Sequence, residues 1–354
     1  MAQAPADFSL AELDLAGRNH AFLLEALDYP VTPLGLHYLL NHFDVPRVDP
    51  DTFRLRIDGL VERTLALDLD RLRALPRESR TVTMECAGNG RAALVPRPRT
   101  QAWVLGAVGT STWTGTRLAP LLEAAGVAKE AVDVVFTGLD RGIEGDIEQD
   151  YARSLPVGEA LCGDALLAWE LDGVPLPPQH GFPLRLIVPG WYGMASVKWL
   201  TRITVVPEPF RGYYQVQAYC ARQRPDEPGE PLTRILPRAL MIPPGIAEFP
   251  SRCRFVDRGP CRLRGRAWSG FGPIDRVEVS LDGGSTWEEA HLQRDLEDGA
   301  WCAWSLDWEA SRPGEVVLCC RARDVTGRQQ PLEQSWNLGG YANNAVQRVA
   351  VTVR

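Results

Sequence analysis

The chain has 354 residues, of which 45% are hydrophobic and 23% are charged, as in an ordinary globular protein. This length exceeds the size at which one hydrophobic core usually stops growing, so we expect two domains. The net charge of −7, with no basic cluster, argues against nucleic acid and against a membrane surface as the main partner. Residues 1–10 lack a secretory pattern and no stretch has the apolar length of a membrane span, so we expect a cytoplasmic protein.

The first third of the chain predicts short elements. Ser9, with Glu12 three residues later, predicts a capping box that opens a helix. Residues 53–57 alternate as a strand, and Asp68 is placed to cap a helix that ends near Pro76. A strand is then predicted at 81–85, where β-branched, apolar and polar residues alternate.

The middle of the chain mixes strands with one compact helix. Residues 103–113 are rich in Gly and Thr and predict a loop. Pro120 and Gly126 mark the start and the stop of a helix. Strands are predicted at residues 132–136, 165–171, 174–176, 184–188 and 199–206.

The last third of the chain differs from the rest in composition and in residue pattern. Seven prolines in residues 223–250 are expected to break any regular element, so the segment predicts a linker or a long wrapped connection. Beyond it, alternating segments separated by Gly, Asp and Asn turns predict an immunoglobulin-like β-sandwich of about 100 residues. These segments are residues 261–267, 274–281, 301–308, 316–322 and 347–353.

Of the eight cysteines, Cys86 has the most suggestive context. None of the eight belongs to a C-x-x-C pair, which argues against zinc and iron–sulfur sites, and no nucleotide-binding glycine motif is present. The strand at 81–85 delivers Cys86 into the loop 87–90, whose residues tolerate positive φ. Arg91 is expected to favour the thiolate. Taken alone, the pattern fits a buried free cysteine equally well.

A second cluster surrounds one predicted strand. His180 and Arg185 flank its start, and Lys198, one of only two lysines, follows beyond a Gly-rich turn. Three cations in one strand–loop–strand unit fit an anionic ligand such as a phosphate. Singly, each residue fits a surface charge or a core histidine.

Together these motifs resemble the sulfite oxidase family of molybdenum-cofactor enzymes, from about residue 30 to the end of the chain. Residues 86–89 followed by Arg91 match the family's cysteine loop, whose thiolate ligates molybdenum. Residues 267–270, 280–287 and 336–338 match its C-terminal dimerisation domain. The resemblance implies that pterin is bound by Tyr38, Asn41, His42, Asp140, His180, Arg185, Ser196, Val197 and Lys198.

The resemblance also implies an architecture and partners. The expected fold is α+β, with an N-terminal extension at 1–30, a molybdopterin-binding catalytic domain at 31–235 and an immunoglobulin-like dimerisation domain at 236–354. The expected cofactor is Mo-molybdopterin, with neither haem nor flavin. The expected partners are a small oxo-transfer substrate, a second copy of the chain, and a separate electron acceptor, either a cytochrome or oxygen.

Four residues are implied in catalysis: Cys86 as the metal ligand, with Arg91, Trp103 and Tyr219 around the substrate. Leu40 and Gly339 stand where the family has arginines. Losing two cations weakens the binding of a doubly charged anion, so the departures favour a less charged or larger oxo-transfer substrate, such as a sulfoxide, over sulfite.

Two other classes of function fit parts of the sequence. A cysteine hydrolase would use Cys86 with His180 and Asp140, but that leaves Lys198 and the sandwich domain without a purpose. A non-catalytic scaffold would explain Leu40 and Gly339 as signs of a decayed pocket.

Overall fold

The computed structural model describes residues 8–354. Within them the α-helices are short: α1 Leu10–Arg18, α2 Leu69–Arg73, α3 Ala119–Ala125, α4 Val157–Cys162 and α5 Tyr213–Val216. In this part of the chain, no helix combines the length and apolar character needed to cross a membrane.

Strands make up most of the regular structure. In chain order they are β1 Leu55–Gly59, β2 Leu65–Leu67, β3 Glu78–Glu85, β4 Val108–Arg117, β5 Asp133–Glu144, β6 Ile147–Pro156, β7 Leu166–Leu171, β8 Val174–Pro175, β9 Arg185–Ile187, β10 Leu200–Val206, β11 Cys220–Ala221, β12 Glu230–Pro231, β13 Arg238–Met241, β14 Ile246–Ala247, β15 Arg254–Val256, β16 Gly259–Trp268, β17 Ile274–Ser280, β18 Glu288–Glu289, β19 His291–Gln293, β20 Cys302–Ala310, β21 Gly314–Asp324 and β22 Gln347–Val353.

Two five-stranded sheets form the N-terminal half. One has the order β2-β1-β10-β5-β6 and is mixed, because β1 and β10 run parallel while its other pairs are antiparallel. The other has the order β3-β4-β7-β8, with β9 also paired to β7. β3 lies at the edge of this sheet, and its last five residues are all buried. The edge strand therefore delivers Cys86 into the interior of the protein.

The C-terminal half consists of two further sheets, ordered β13-β16-β20-β19 and β14-β15-β22-β21-β17-β18. One hydrophobic core joins them, with Leu263 and Trp304 from the first sheet and Val277, Leu318 and Val351 from the second. The predicted alternation is confirmed along β20 and β22, where buried residues alternate with half-buried or exposed ones, whereas β16 and β21 each contain a run of consecutive buried residues.

Several local predictions are confirmed. Ser9 and Glu12 form the capping box that opens α1. Asp68 caps α2 by accepting the backbone N–H of Arg71. Asp172 and the following glycine, both with positive φ, turn β7 into β8.

The predicted loop at 103–113 is wrong from Val108 onward, where β4 begins. Threonine side chains on β4 pair with hydroxyls on β3. Thr110 lies 2.5 Å from Thr83, and Thr112 lies 3.0 Å from Thr81, oxygen to oxygen. β-Branched threonine suits a strand, and the partner hydroxyls satisfy its polarity. The glycines in residues 103–113 favour a loop, and in the sequence pattern this signal is stronger than the preference of threonine for a strand.

The proline-rich linker also contains regular structure, contrary to the prediction. β13 occupies Arg238–Met241, between Pro237 and Pro243, and pairs with β16. The two prolines lie just outside the strand, where the missing N–H groups do not interrupt the ladder.

Candidate active site

The Cys86 loop is held by a closed set of hydrogen bonds. The backbone N–H of Cys86 donates to the carbonyl of Ala107 at 2.9 Å. Asn89 returns a side-chain N–H to Glu85 at 3.0 Å and accepts the N–H of Ala107 at 3.1 Å. Gly90 takes φ of +90°, a conformation that favours glycine. The thiol is therefore fixed in position before any ligand binds.

The thiol is neutral by default, which corrects one expectation. Arg91 does lower the pKa of Cys86, but burial raises it by more, so the net pKa is above the ordinary value. A bound cation would reverse this balance, since metal coordination deprotonates a thiol outright. The expected thiolate therefore depends on the metal rather than on Arg91.

A cleft on one side of Cys86 collects most of the predicted pterin contacts; we call it the cofactor pocket. Seven of the nine predicted pterin-binding residues line it: Tyr38, His42, Asp140, His180, Arg185, Ser196 and Lys198. Asn41 lies beside it and accepts a hydrogen bond from Lys198. Val197 is fully buried in the core and is not among the lining residues, so its part in pterin binding stays a prediction.

Arg185 and Lys198 donate their hydrogen bonds to oxygens of the protein itself. Arg185 donates to the carbonyls of His180 and Ser196, each at 3.0 Å, and lies over the ring of Trp113. Lys198 donates to the carbonyl of Leu40 at 2.9 Å and to that of Gln179 at 3.1 Å, as well as to Asn41. They join the loops that form the walls of the cofactor pocket.

His180 is not a third cation, contrary to the sequence interpretation. Burial, helped by the nearby His37, Arg185 and Lys198, lowers its pKa to about 2. The same causes, with Lys198, Arg18 and Arg91 as the neighbouring charges, lower the pKa of His42 to about 3. Both imidazoles are therefore neutral hydrogen-bonding groups near neutral pH.

The cofactor pocket contains polar atoms that lack partners. Within residues 8–354, the buried Oδ1 of Asp140 and Nε2 of His37 make no hydrogen bond. Buried polar groups are normally paired, so each of these atoms calls for a ligand atom. A pterin carries many ring donors and acceptors, and the single thiol at one end matches a metal whose other sulfur ligands come from the cofactor. The residues present fit the molybdenum cofactor.

A second cavity, of about 250 Å³, borders the cofactor pocket at Cys86; we call it the substrate cavity. The predicted catalytic residues Cys86, Arg91, Trp103 and Tyr219 all line it. Arg91 is only 6% exposed, and within the described chain its Nε has no partner. A buried guanidinium with a free N–H is equipped to bind an oxyanion.

Tyr219 is held in a strained conformation at the boundary between the two cavities. Its φ is +50°, which is uncommon for a residue with a side chain. Its hydroxyl lies 2.5 Å from Nε2 of His42. Tyr219 and His42 both line the cofactor pocket and the substrate cavity, as do Cys86 and Leu40.

The packing around residue 339 explains why a glycine stands there. A β-carbon at this position would collide with the ring of Tyr341. That ring lies 4.7 Å from the guanidinium carbon of Arg91 in a cation–π contact. An aromatic face therefore contacts Arg91, and a side chain at residue 339 would displace it.

Several residues of the site carry no signal in the motifs described above. His37, Met84, Tyr151 and Gly193 line the cofactor pocket, and Leu15, Arg18 and Tyr341 line the substrate cavity. Tyr341 lies three residues beyond the 336–338 motif, so extending that motif would have found it. Nothing in the sequence pattern singles out Arg18.

The hydrolase arrangement is not supported. In the part of the chain that the structure describes, no hydrogen bond joins Cys86 to His180, or His180 to Asp140. A nucleophile, a base and an orienting group need such bonds.

Comparisons with known proteins agree with the geometry. Residues 42–214 match the oxidoreductase molybdopterin binding domain, and residues 250–354 match the Mo-co oxidoreductase dimerisation domain. Human mitochondrial sulfite oxidase is 37% identical over 346 residues, covering 91% of this chain and 62% of the human protein. The sulfite oxidase of Gallus gallus is 37% identical over 342 residues, covering 90% of this chain and 72% of that protein. This chain belongs to the sulfite oxidase family.

A solved structure supports the same fold. The sulfane dehydrogenase SoxCD from Paracoccus pantotrophus is similar to this chain with a TM-score of 0.80 and 27% identity, covering 94% of this chain and 85% of that one. The family predicted from the cysteine loop is confirmed, as is a molybdopterin-binding domain followed by a dimerisation domain. The chain spans 62% of the length of its human sulfite oxidase family relative.

Proposed function

We propose that this protein is a molybdenum-dependent oxidoreductase that transfers an oxo group at a metal centre ligated by Cys86. One observation carries the proposal: Cys86 lies at the boundary of the cofactor pocket and the substrate cavity and lines both. A metal held by this thiol would meet the cofactor on one side and the substrate on the other. Membership of the family supports the same reading.

The cofactor would be held by the cofactor pocket. Asp140 and His37 offer unpartnered polar atoms, Tyr38 and His180 offer neutral side chains, and Lys198 and Arg185 fix the surrounding loops. When bound, the molybdenum cofactor supplies oxygen-atom transfer coupled to a two-electron change of the metal.

The substrate would be oriented by the chain's own residues. Arg91 would bind an oxyanion through its free N–H. Trp103, 3% exposed, would shield that contact from water. Tyr219, fixed by His42, would present its hydroxyl to the substrate from the boundary of the two cavities.

The identity of the substrate follows less directly. Sulfite is the first candidate, because the curated relatives at 37% identity are sulfite oxidases. Leu40 and Gly339, which replace family arginines, favour a less charged or larger oxo-transfer substrate, such as a sulfoxide, as the second. SoxCD, a sulfane dehydrogenase, widens the choice to other sulfur compounds. A scaffold without catalysis is a remote third reading.

Assembly and electron transfer complete the proposal. The electrons would pass to a separate cytochrome or to oxygen in the cytoplasm. The dimerisation domain supports a homodimer, and the two sheets of the C-terminal half would form its immunoglobulin-like sandwich. We place the boundary between the extension and the catalytic domain near residue 30, and that between the two domains near residue 235.

Metal analysis of protein made in a cofactor-competent host tests the central claim. We expect molybdenum and pterin in the wild type and in Cys162→Ala, an exposed control cysteine. Cys86→Ala removes the protein's sulfur ligand and should lower the molybdenum content below that of both. A wild-type protein free of molybdenum and pterin would overturn the proposal.

A further inference from the structure

The N-terminal extension forms part of the substrate cavity. Leu15 and Arg18, both on α1, line it together with Arg91 and Trp103. Arg18 is the last residue of α1 and is exposed. Within residues 8–354, no carboxylate pairs with it. An unpaired guanidinium at the edge of a cavity is free to meet a ligand.

α1 is fixed in this position at both ends. At its start, a buried ion pair between Glu12 and Arg97 joins the helix to the loop that leads to Trp103. The side chains of Glu12 and Arg97 are 4% and 9% exposed, respectively. At its end, Asn19 accepts the backbone N–H of Asn41 at 2.8 Å and donates to Gln101 at 3.2 Å. The helix is therefore tied to the walls of the substrate cavity, and Arg18 with it.

The electrostatic effect of Arg18 reaches the site. Burial is the main cause that lowers the pKa of His42, and Arg18, together with Lys198 and Arg91, is one of the positive charges that lower it further. Since His42 lies at the boundary between the substrate cavity and the cofactor pocket, the field of Arg18 extends into the region where the substrate would react.

We propose that Arg18 binds the substrate and that the substrate is an anion. α1 supplies a second guanidinium group to a cavity whose wall carries Leu40 where the family resemblance implies an arginine. Arg91 binds the anion deep in the cavity and Arg18 attracts it at the edge, so a neutral sulfoxide uses neither cation. This inference rests on the proposed function for the identity of the cavity, and it narrows the substrate class.

Binding of sulfate to the holoenzyme tests the assignment without requiring turnover. Sulfate is an oxyanion that is already fully oxidised, so calorimetry at low ionic strength reports only its affinity. We expect Arg18→Ala to weaken sulfate binding about two- to five-fold, the range for an exposed charge pair, and the effect to vanish in high salt. Dimethyl sulfoxide, which is neutral, should bind both proteins equally.

Arg73→Ala is the matched control. Arg73, like Arg18, is an exposed arginine in the last turn of a short helix, but it is not among the residues that line the substrate cavity. We expect its sulfate affinity to equal that of the wild type. Equal affinity for Arg18→Ala and wild type, or an equal loss in Arg73→Ala, overturns the assignment.

A second variant tests the part played by α1. Glu12→Ala removes the tie to Arg97 and should weaken sulfate binding as much as Arg18→Ala, with no further loss in the double variant. Additive losses would show that Arg18 acts independently of the helix position and would overturn this step. Molybdenum content, measured on each preparation, reports on the proposed function separately from the anion affinity.

Discussion

Glu85 and Arg238 form an ion pair in the interior, with Oε1 2.7 Å from Nε and each side chain only 1% exposed. The N–H of this Nε does not point along the contact, so the pair is held by charge rather than by an aligned hydrogen bond. Trp268 donates its indole N–H to the other carboxylate oxygen at 2.8 Å. Since Glu85 directly precedes Cys86, two residues of the C-terminal half anchor the end of the strand that carries the thiol.

Removing Arg238 should therefore destabilise the protein strongly. In Arg238→Met, Glu85 becomes a buried charge without its partner, which costs about 3–5 kcal/mol. We expect a lower midpoint in urea and a loss of molybdenum from the remaining folded protein. Arg258→Met, at an exposed arginine, is the control and should match the wild type. An unchanged midpoint for Arg238→Met would show that the pair contributes nothing.

Gly193→Ala should impair cofactor binding while sparing the fold. A β-carbon at residue 193 would collide with the hydroxyl of Tyr38, which lines the cofactor pocket. We expect the ring of Tyr38 to be displaced and the molybdenum and pterin content to fall. Gly35→Ala, where a β-carbon meets nothing within 4 Å, should keep its full content. Full cofactor content in Gly193→Ala would contradict the placement of Tyr38.

Leu40→Arg should strengthen the binding of an oxyanion. Leu40 lines the substrate cavity, and a guanidinium at this position would add charge-assisted hydrogen bonds of about 1.5–3 kcal/mol, or at least about tenfold in affinity. The measurement is sulfate affinity, followed by the KM for sulfite if sulfite is turned over. Leu40→Met keeps the size and the lack of charge and should behave as the wild type. No gain for Leu40→Arg would mean that the missing cation is not what limits anion binding.

α1 should detach in acid. A hydrogen bond from Arg97 lowers the pKa of Glu12 from its ordinary value of 4.5 to about 2. A lowered pKa stabilises the folded state above pH 4.5, and this contribution is lost as the pH falls towards 2. Hydrogen exchange of the amides in α1, corrected for the intrinsic rate, should show easier opening at pH 3 than at pH 6.

The control for this titration is Glu12→Gln, which cannot ionise. Its α1 should open easily at both pH values, with no change between them. Asp14→Asn, at an exposed residue of the same helix, should keep the wild-type dependence. A wild-type protein whose α1 opens equally at both pH values would contradict the assignment to Glu12.

The local part of the site could be predicted from the sequence, because its signals are local. The strand before Cys86, the turn after it and Arg91 lie within one short stretch, and they come together in the structure as expected. The charge states could not be predicted. The neutral thiol and the neutral His180 both follow from burial, which depends on residues far away in the chain.

The rest of the site depends on contacts between distant segments. Arg18 reaches the substrate cavity because Glu12 pairs with Arg97 and Asn19 bonds to Asn41, and Tyr341 contacts Arg91 across most of the sequence. No hydrophobic periodicity and no sequence motif indicates such contacts between distant residues. Similarly, β4 was missed because its threonines are satisfied by hydroxyls on β3, a match that becomes visible only when the two strands are paired.

The edge of β3 that does not pair with β4 limits how this protein can be cut into fragments. Thr83 donates its backbone N–H to the carbonyl of Gly299 at 3.0 Å, and its hydroxyl accepts the N–H of Trp301 at 2.7 Å. A loop of the C-terminal half thus covers the open edge of the strand that carries Cys86. Cut away from that loop, the N-terminal half would expose unpaired backbone groups, which recruit other strands. The first half therefore needs the second half to stay soluble. A gene fragment that encodes only the first half should yield aggregates.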